Sequence, residues 1–426
     1  MKQLLRRSTL LLALKILTSL LGLLFYYLLA KQLGVEEFGL FSLAATCLLF
    51  TSALAKQGLE PSIVRIAAQY GSSKKGLINK SDISLGGLYL FVLLYSGVMA
   101  LIIASCLYVF ANTIAIDIFN KPVLADLLPL TAALTVIQTW MAINSSMLRG
   151  RSHAALSMVF TGIVTFSVVL VMFYYYPPHS ALLAIEQLTI AAAIACFLSF
   201  VVTLLKIKPL TAYRQFEHKS ILSSNAWLFI AAMAALTTQQ LSVLVLGRYA
   251  SLEQVGVFSI AIKVSMLLSY PLLAVNAYTA PQYAKFGAEG AFKALKHLAN
   301  QANKVLLVVG SIGVVILFFL AEHIAGFFGE AYLPAADIIR ILLIGQWVNL
   351  ATGSVVSILV MNGYEKIHSR NSLIIMLMNI VALCVLVPSY GVLAAAWITT
   401  IIMASKNLVS WFYVNKLIFV KAGQPL

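Results

Sequence analysis

Gly34-Val35-Glu36-Glu37-Phe38-Gly39-Leu40-Phe41-Ser42-Leu43-Ala44 returns 217 residues later as Ser251-Leu252-Glu253-Gln254-Val255-Gly256-Val257-Phe258-Ser259-Ile260-Ala261. Five of the eleven positions are identical: Glu36/Glu253, Gly39/Gly256, Phe41/Phe258, Ser42/Ser259 and Ala44/Ala261. The offset is close to half of the 426 residues. Two echoes flank the element. Leu29 and Lys31 match Leu246 and Arg248 at the same offset, and Pro61 and Arg65 match Pro281 and Lys285 at an offset of 220. Internal symmetry of this kind in a very apolar chain is the pattern of transporters built from two similar halves.

The apolar background is strong. Hydrophobic residues make up 61% and charged residues 10%, against about 25% charged in a water-soluble domain. Most of the chain must therefore face lipid or other apolar segments. The net charge of +15 does not signal nucleic acid, because the basic residues sit in short loops between apolar runs, where they encode topology. Cys47, Cys106, Cys196 and Cys384 lie inside apolar runs without zinc-type spacing, so they read as packing residues with no disulfide framework. The first apolar stretch, 9–30, is too long for the h-region of a cleaved signal peptide, about 7–15 residues. The six histidines are dispersed. There is no His-Glu-x-x-His, P-loop or dinucleotide fingerprint. No catalytic constellation, metal or cofactor is expected, and the protein does not read as an enzyme.

A helix needs roughly 20 mostly apolar residues to cross the hydrocarbon core, and helices are the form that satisfies the backbone there. Twelve stretches qualify: 9–30, 38–55, 84–110, 123–147, 154–176, 181–205, 222–246, 254–278, 305–327, 333–361, 371–388 and 390–414. Pro388 to Gly391 punctuates the last two as a tight turn. With the N-terminus on the cytoplasmic side, the cytoplasmic segments hold 22 of the 29 Lys and Arg. The other side holds Lys31, Lys121 and Arg248, and Lys15, Lys263, Arg340 and Lys406 fall within spans. This bias puts both termini in the cytoplasm. Six spans per half is an even number, so the halves are parallel repeats. The expected fold is an all-α polytopic membrane protein of two six-helix bundles, 1–208 and 209–426. Residues 61–70 and 282–303 mix apolar and basic residues and read as amphipathic stretches on the inner membrane surface or as elbows between spans.

The Gly-Val-Glu-Glu-Phe-Gly-Leu-Phe-Ser element resembles that of bacterial polysaccharide-unit flippases, the oligosaccharide flippase (Wzx) family of the multidrug/oligosaccharidyl-lipid/polysaccharide exporter superfamily. The second copy, Leu246-Gly247-Arg248-Tyr249 followed by Val255 to Lys263, is similar to the family pattern, as is the basic link Leu148-Arg149-Gly150-Arg151. The resemblance covers the whole chain in length, span count and both repeat elements. It implies a V-shaped exporter architecture in the bacterial inner membrane. It also implies a flippase that moves a polyprenyl-diphosphate-linked oligosaccharide from the cytoplasmic to the periplasmic leaflet, for O-antigen (lipopolysaccharide) or capsule assembly. Membrane lipids, a coupling ion and a polysaccharide polymerase are the further partners. One departure stands out: Gln239 and Gln240 occupy the part of span seven where family members often carry an acidic residue.

Such a cargo sets the search for site residues. A diphosphate wants cations, and sugar wants amides, hydroxyls and aromatic faces. A charge at the bilayer centre costs at least ~3 kcal/mol on insertion scales, so each cation inside a span calls for a role. Lys263 lies nine residues past Gln254, roughly 13 Å along the helix axis, about midway through span eight. No acidic residue sits within four positions of it, and its repeat counterpart is Thr46. Lys15 lies about 9 Å from the inner end of span one, and binds cargo or snorkels to the interface. Arg340 stands three residues after Asp337 and either pairs with it or joins the diphosphate site. Lys406 reads as a snorkelling residue. Asp126 and Glu186 read as first-turn carboxylates at helix N-termini. The amides are Asn225, Gln239 and Gln240 in span seven, Gln138 and Asn144 in span four, and Gln346 and Asn349 in span ten. Each touches cargo or binds a neighbouring helix. Trp140 and Trp347 occupy similar places in spans four and ten, for packing or for stacking on sugar.

Two rivals remain. A drug/cation antiporter of the same superfamily would want carboxylates in its cavity, whereas the central charges here, Lys15 and Lys263, are positive. A membrane glycosyltransferase or polymerase would want acidic residues in a large outer loop, and the longest outer loop here is about a dozen residues by the span boundaries.

Overall fold

The computed structural model describes residues 2–70, 85–207 and 218–420. They are helical nearly throughout, with no strand among them. The chain divides into two compact units, Met1–Met233 and Ala234–Leu426.

Unit 1 contains α1 (Lys2–Lys56), α2 (Leu59–Tyr70), α3 (Leu85–Val109), α4 (Leu128–Gly150), α5 (Ala154–Tyr175) and α6 (Ala181–Ile207). Helix α7 (His218–Tyr249) carries the chain into unit 2. There follow α8 (Leu252–Ala288), α9 (Phe292–Phe319), α10 (Ala321–Phe328), α11 (Ala335–Thr352), α12 (Val355–Met361) and α13 (Glu365–Val414).

Among the described residues nine helices are long and apolar enough to cross a membrane, so this is a multi-pass membrane protein. Two of the nine are broken. Gly34 (φ 73°, ψ 175°) interrupts α1, and Gly391 (φ 59°, ψ −140°) interrupts α13. Only glycine takes such backbone angles without a steric cost; Gly34 falls in the gap between the first two stretches, and Gly391 in the Pro388–Gly391 turn, at the start of the last. Counting each broken helix as two legs and adding α4 gives the twelve legs that the sequence predicts.

Helix α4 falls outside the nine because it is polar for a membrane helix, and its place in the fold explains why. It packs against α1, α2, α3, α5 and α6 at once. A leg wrapped by its neighbours is shielded from lipid and can carry hydroxyls. Thr131, Thr135 and Thr139 repeat every four residues, and each donates to the carbonyl four residues back, at 2.9, 2.9 and 2.7 Å. This pattern satisfies the hydroxyl inside an apolar bundle. Helix α11 is the corresponding hub of unit 2, packing against α8, α9, α10 and α13. A Cβ added to Gly345 of α11 would lie 3.1 Å from the Thr400 backbone, so glycine sets how closely α11 and α13 approach.

The repeat element adopts the same form twice. In each copy a break, at Gly34 or at Ala250–Ser251, precedes a helix whose next apolar residues are buried: 38–44 in unit 1 and 255–261 in unit 2. The helix starts are fixed differently. Ser251 and Gln254 form a reciprocal capping box on α8. Glu37 instead reaches across to α6, where its Oε2 accepts the Ala181 N–H at 2.7 Å. A carboxylate there meets the positive end of the helix dipole.

Several expectations need correction. The stretch 333–361 is not one helix: Gly353 (φ 72°) separates α11 from α12. For the stretch 282–303 the elbow reading holds, rather than that of a helix lying on the membrane surface. The stretch is the end of α8 and the start of α9, joined through Gly290. Its Leu295 and Ala299 are buried with Tyr283, Leu359 and Val414. Helix α2 is a separate amphipathic piece, whose Ile63, Ile66 and Ala67 pack into a core with Leu88, Tyr89, Val92, Ile143 and Met147. Asp126 ends a short turn ahead of α4, and Glu186 lies past the first turn of α6, whose end Glu37 caps instead. Packing describes only Cys47 and Cys196, because Cys106 and Cys384 are exposed.

Candidate functional site

Four helices of unit 2 converge on one recess. Gln239 comes from α7; Ile262, Ser265 and Met266 from α8; Leu342 and Gln346 from α11; Thr399, Thr400 and Met403 from α13. The cavity they enclose is small, about 10 Å³, the space of roughly one water molecule. Four apolar side chains share the wall with five that carry an amide or a hydroxyl, so a group seated there meets apolar surface and hydrogen-bonding atoms together.

The polar groups are held in place. Gln346 is buried, and its Oε1 accepts from the Ser269 hydroxyl at 2.9 Å and from Asn349 Nδ2 at 3.5 Å. This leaves its amide N–H groups as donors. The Ser242 and Thr399 hydroxyls are bonded at 2.7 Å, tying α7 to α13. Thr400 donates to the Ile341 carbonyl at 3.0 Å. Gln239 is exposed and Gln240 half-buried.

Lys263 follows Ile262 on α8. A helix turns about 100° per residue, so Ile262, Ser265 and Met266 form one stripe and Lys263 leaves α8 on its flank. The residue is half-buried between Ile262 and Val264, both buried. Its four-carbon stem can follow the apolar wall while the ammonium reaches a polar opening.

The other predicted residues are placed differently. Arg340 is bonded to Asp337 Oδ1 and Glu322 Oε1, each at 2.8 Å, and lies over the Phe318 ring at 5.6 Å. Its charge is matched by two carboxylates, which ties α9, α10 and α11 together. Asn144 is fully buried: the Tyr89 hydroxyl donates to its Oδ1 at 2.6 Å, and its Nδ2 donates to Ser199 at 3.0 Å. That chain locks α3, α4 and α6. Gln138 is half-buried on α4, and Lys15 is exposed on α1. The side chain of Asn225 lies outside the described residues. Trp140 lies against Gly97 of α3, and the Trp347 indole N–H donates to Ser311 at 3.0 Å. Each hub helix thus rests a half-exposed tryptophan on a small residue of its neighbour. Sequence reasoning singled out Gln239, Gln346 and Asn349 but missed Ser265, Thr399 and Thr400. Hydroxyls are common in membrane helices, and only the fold shows that these three meet.

Near the joint of α4 and α5, burial and the charges of Lys206 and Arg151 hold the His153 imidazole below its ordinary pKa. No group of three or more His, Cys, Asp or Glu that would hold a metal occurs among the described residues.

Comparison with known proteins fits this architecture. The profile of the polysaccharide biosynthesis protein family matches residues 4–280, and that of the MatE family matches residues 228–385. A curated relative, an uncharacterised membrane protein of Methanocaldococcus jannaschii, is 22% identical over 81% of this chain and 70% of its own length. Among solved structures, the lipid II flippase MurJ in its inward closed conformation superposes with a TM-score of 0.75 at 18% identity, over 97% of this chain and 89% of that one. An inward-facing multidrug resistance MATE family transporter of the MOP superfamily gives 0.69 at 16% identity, over 98% and 100%. A MOP-superfamily transporter from Pyrococcus furiosus, whose binding pocket is described as reversed in polarity, gives 0.64 at 15% identity, over 99% and 96%. The chain belongs to the polysaccharide biosynthesis protein family and has the fold of the multidrug/oligosaccharidyl-lipid/polysaccharide exporters.

Proposed function

We propose that this protein is a flippase that carries a polyprenyl-diphosphate-linked oligosaccharide from the cytoplasmic to the periplasmic leaflet by alternating access, for O-antigen or capsule assembly. It makes and breaks no covalent bond. The bundles are 1–208 and 209–426, both termini are cytoplasmic, and the membrane is the bacterial inner membrane.

The observation that carries this reading is a half-buried lysine within a membrane helix, Lys263, next in sequence to Ile262 of the recess. A cation kept within a membrane helix, at a cost of at least ~3 kcal/mol, suits anionic cargo and repels a cationic drug. Lys263 and Lys15 hold the diphosphate. Arg340, bonded to Glu322 and Asp337, contributes by bracing the hub helix α11. Gln239, Gln240, Gln346 and Asn349 offer donors and acceptors to sugar, with Gln138 and Asn225 assigned the same task. A coupling ion and a polysaccharide polymerase are the remaining partners in this reading.

The test is complementation of surface polysaccharide in a host that lacks its own flippase. Lys263→Ala is expected to abolish export while the protein accumulates normally in the membrane. Wild-type export at a normal protein level would remove the residue from the mechanism and the anionic cargo with it.

A further inference from the structure

At the end of the last leg, two lysines rest on aromatic rings. Lys416 Nζ stands 5.8 Å from the centre of the Phe412 ring, and Lys296 Nζ, from the first turns of α9, stands 5.6 Å from the centre of the Phe419 ring. Residues 415–419 form a wide helical turn that continues α13, so Phe412, Lys416 and Phe419 follow one another along it. The two ammonium groups therefore flank a single short strip of surface. Both lysines are exposed, and among the described residues neither is paired with a carboxylate.

Directly along α13 from this strip runs an apolar stripe. Ile401, Leu408 and Phe412 recur at spacings of seven and four residues, which places them on one helix face. All three are exposed, at 57, 50 and 54%, and Trp411 beside them is 48% exposed. Basic residues elsewhere are neutralised: in unit 1 Glu60 lies 2.9 Å from Lys56 and 3.2 Å from Arg149.

We infer that this strip is a binding site for one anionic diacyl phospholipid. Lys296 and Lys416 hold its phosphate, and one acyl chain lies along Phe412, Leu408 and Ile401. The rings hold the ammonium groups by cation–π attraction while leaving their outer sides open to phosphate oxygens. An apolar stripe ending in two cations matches a lipid in both chemistry and order: tail, then headgroup. A zwitterionic headgroup presents a compensating positive charge to the same two lysines, so the site discriminates by net charge. This inference does not depend on the identity of the transported cargo.

The experiment is native mass spectrometry of the purified full chain with equal amounts of phosphatidylglycerol and phosphatidylcholine. Wild type is expected to retain phosphatidylglycerol on the order of tenfold better, the scale expected of two surface lysines. Lys296→Gln with Lys416→Gln should remove that preference. Lys296→Arg with Lys416→Arg should keep it, and so should the charge-matched control Lys121→Gln with Arg151→Gln. If the double Gln variant does not fold, the single Lys416→Gln change at an exposed position is expected to lower the preference severalfold. Equal retention of both lipids by wild type would overturn the site. So would a preference that survives loss of both lysines. Displacement of phosphatidylglycerol by a polyprenyl phosphate at a lower concentration would assign the strip to the carrier lipid and overturn the assignment made here.

Discussion

Positions 46 and 263 are the same place in the two halves of this molecule, and they are loaded in opposite ways. Both follow the repeated Gly-x-Phe-Ser element by the same number of residues, on helices whose preceding residues are buried alike. In unit 1 the position holds Thr46, buried, with its hydroxyl donating to the Ser42 carbonyl at 2.7 Å. In unit 2 it holds Lys263, half-buried and next in sequence to Ile262 of the polar recess. The polar groups around them differ in the same sense. Unit 1 spends its central amide internally, with Asn144 closed between Tyr89 and Ser199. Unit 2 leaves Gln239 exposed, and Gln346 is bonded through its Oε1 to Ser269 at the edge of the small recess. One backbone plan therefore carries a closed hydrogen-bond chain in one unit and a small polar recess in the other, and the difference lies in a few side chains.

The largest break in this comparison is to load unit 1 like unit 2. Thr46→Lys puts an ammonium where only 4% of the side chain is exposed. An unpaired buried charge costs several kcal/mol, so the variant is expected to lose most folded protein, read as the membrane-inserted yield and as the melting temperature in detergent. The reverse exchange, Lys263→Thr, should fold normally and lose polysaccharide export. If Thr46→Lys accumulates and melts like wild type, the two positions do not differ in burial as described.

The next effect concerns the closed chain itself. Asn144→Leu removes both partners of a buried chain and leaves the Tyr89 hydroxyl with nothing to donate to. A stranded buried polar group costs about 1–3 kcal/mol, so a clear fall in melting temperature is expected. Gln239→Leu, at an exposed position on the recess, should leave stability within about 0.5 kcal/mol and lower export instead. Equal losses of stability in both variants would erase the contrast between the two units.

Much of this was legible in the sequence because it rests on covalent order. Apolar length gave the legs and the gap around Gly34, the Pro388–Gly391 punctuation gave the last break, and the 217-residue offset gave the equivalence of Thr46 and Lys263. What was hidden depends on contacts between distant segments. Arg340 reads as a partner of Asp337 three residues away, but its second carboxylate, Glu322, arrives from α10. Asn144 looks like a candidate for cargo until Tyr89 and Ser199, each 55 residues away, are seen to occupy it. The stretch 282–303 has an amphipathic pattern, yet its apolar face belongs to the ends of two long helices that pack on α12 and α13. Periodicity reports that a face is apolar and does not report what covers it.

The smallest expected effect tests a feature that the halves share. Ser42 and Ser259 are equivalent positions, identical in the repeat, and both hydroxyl oxygens are buried with no hydrogen-bond partner. Their identity cannot come from a bond they make. Serine at these places adds little bulk, which suits helices in close contact, and its hydroxyl carries a desolvation cost without compensation. Ser42→Ala and Ser259→Ala keep the size and remove the stranded oxygen, so each should leave stability unchanged or raise it by up to about 1 kcal/mol. Two alanine variants that melt alike would extend the likeness of the units from backbone to packing. If Ser259→Ala alone lowered export at unchanged stability, that hydroxyl would join Lys263 on the functional side of α8, and the asymmetry of the halves would reach one turn further than position 263.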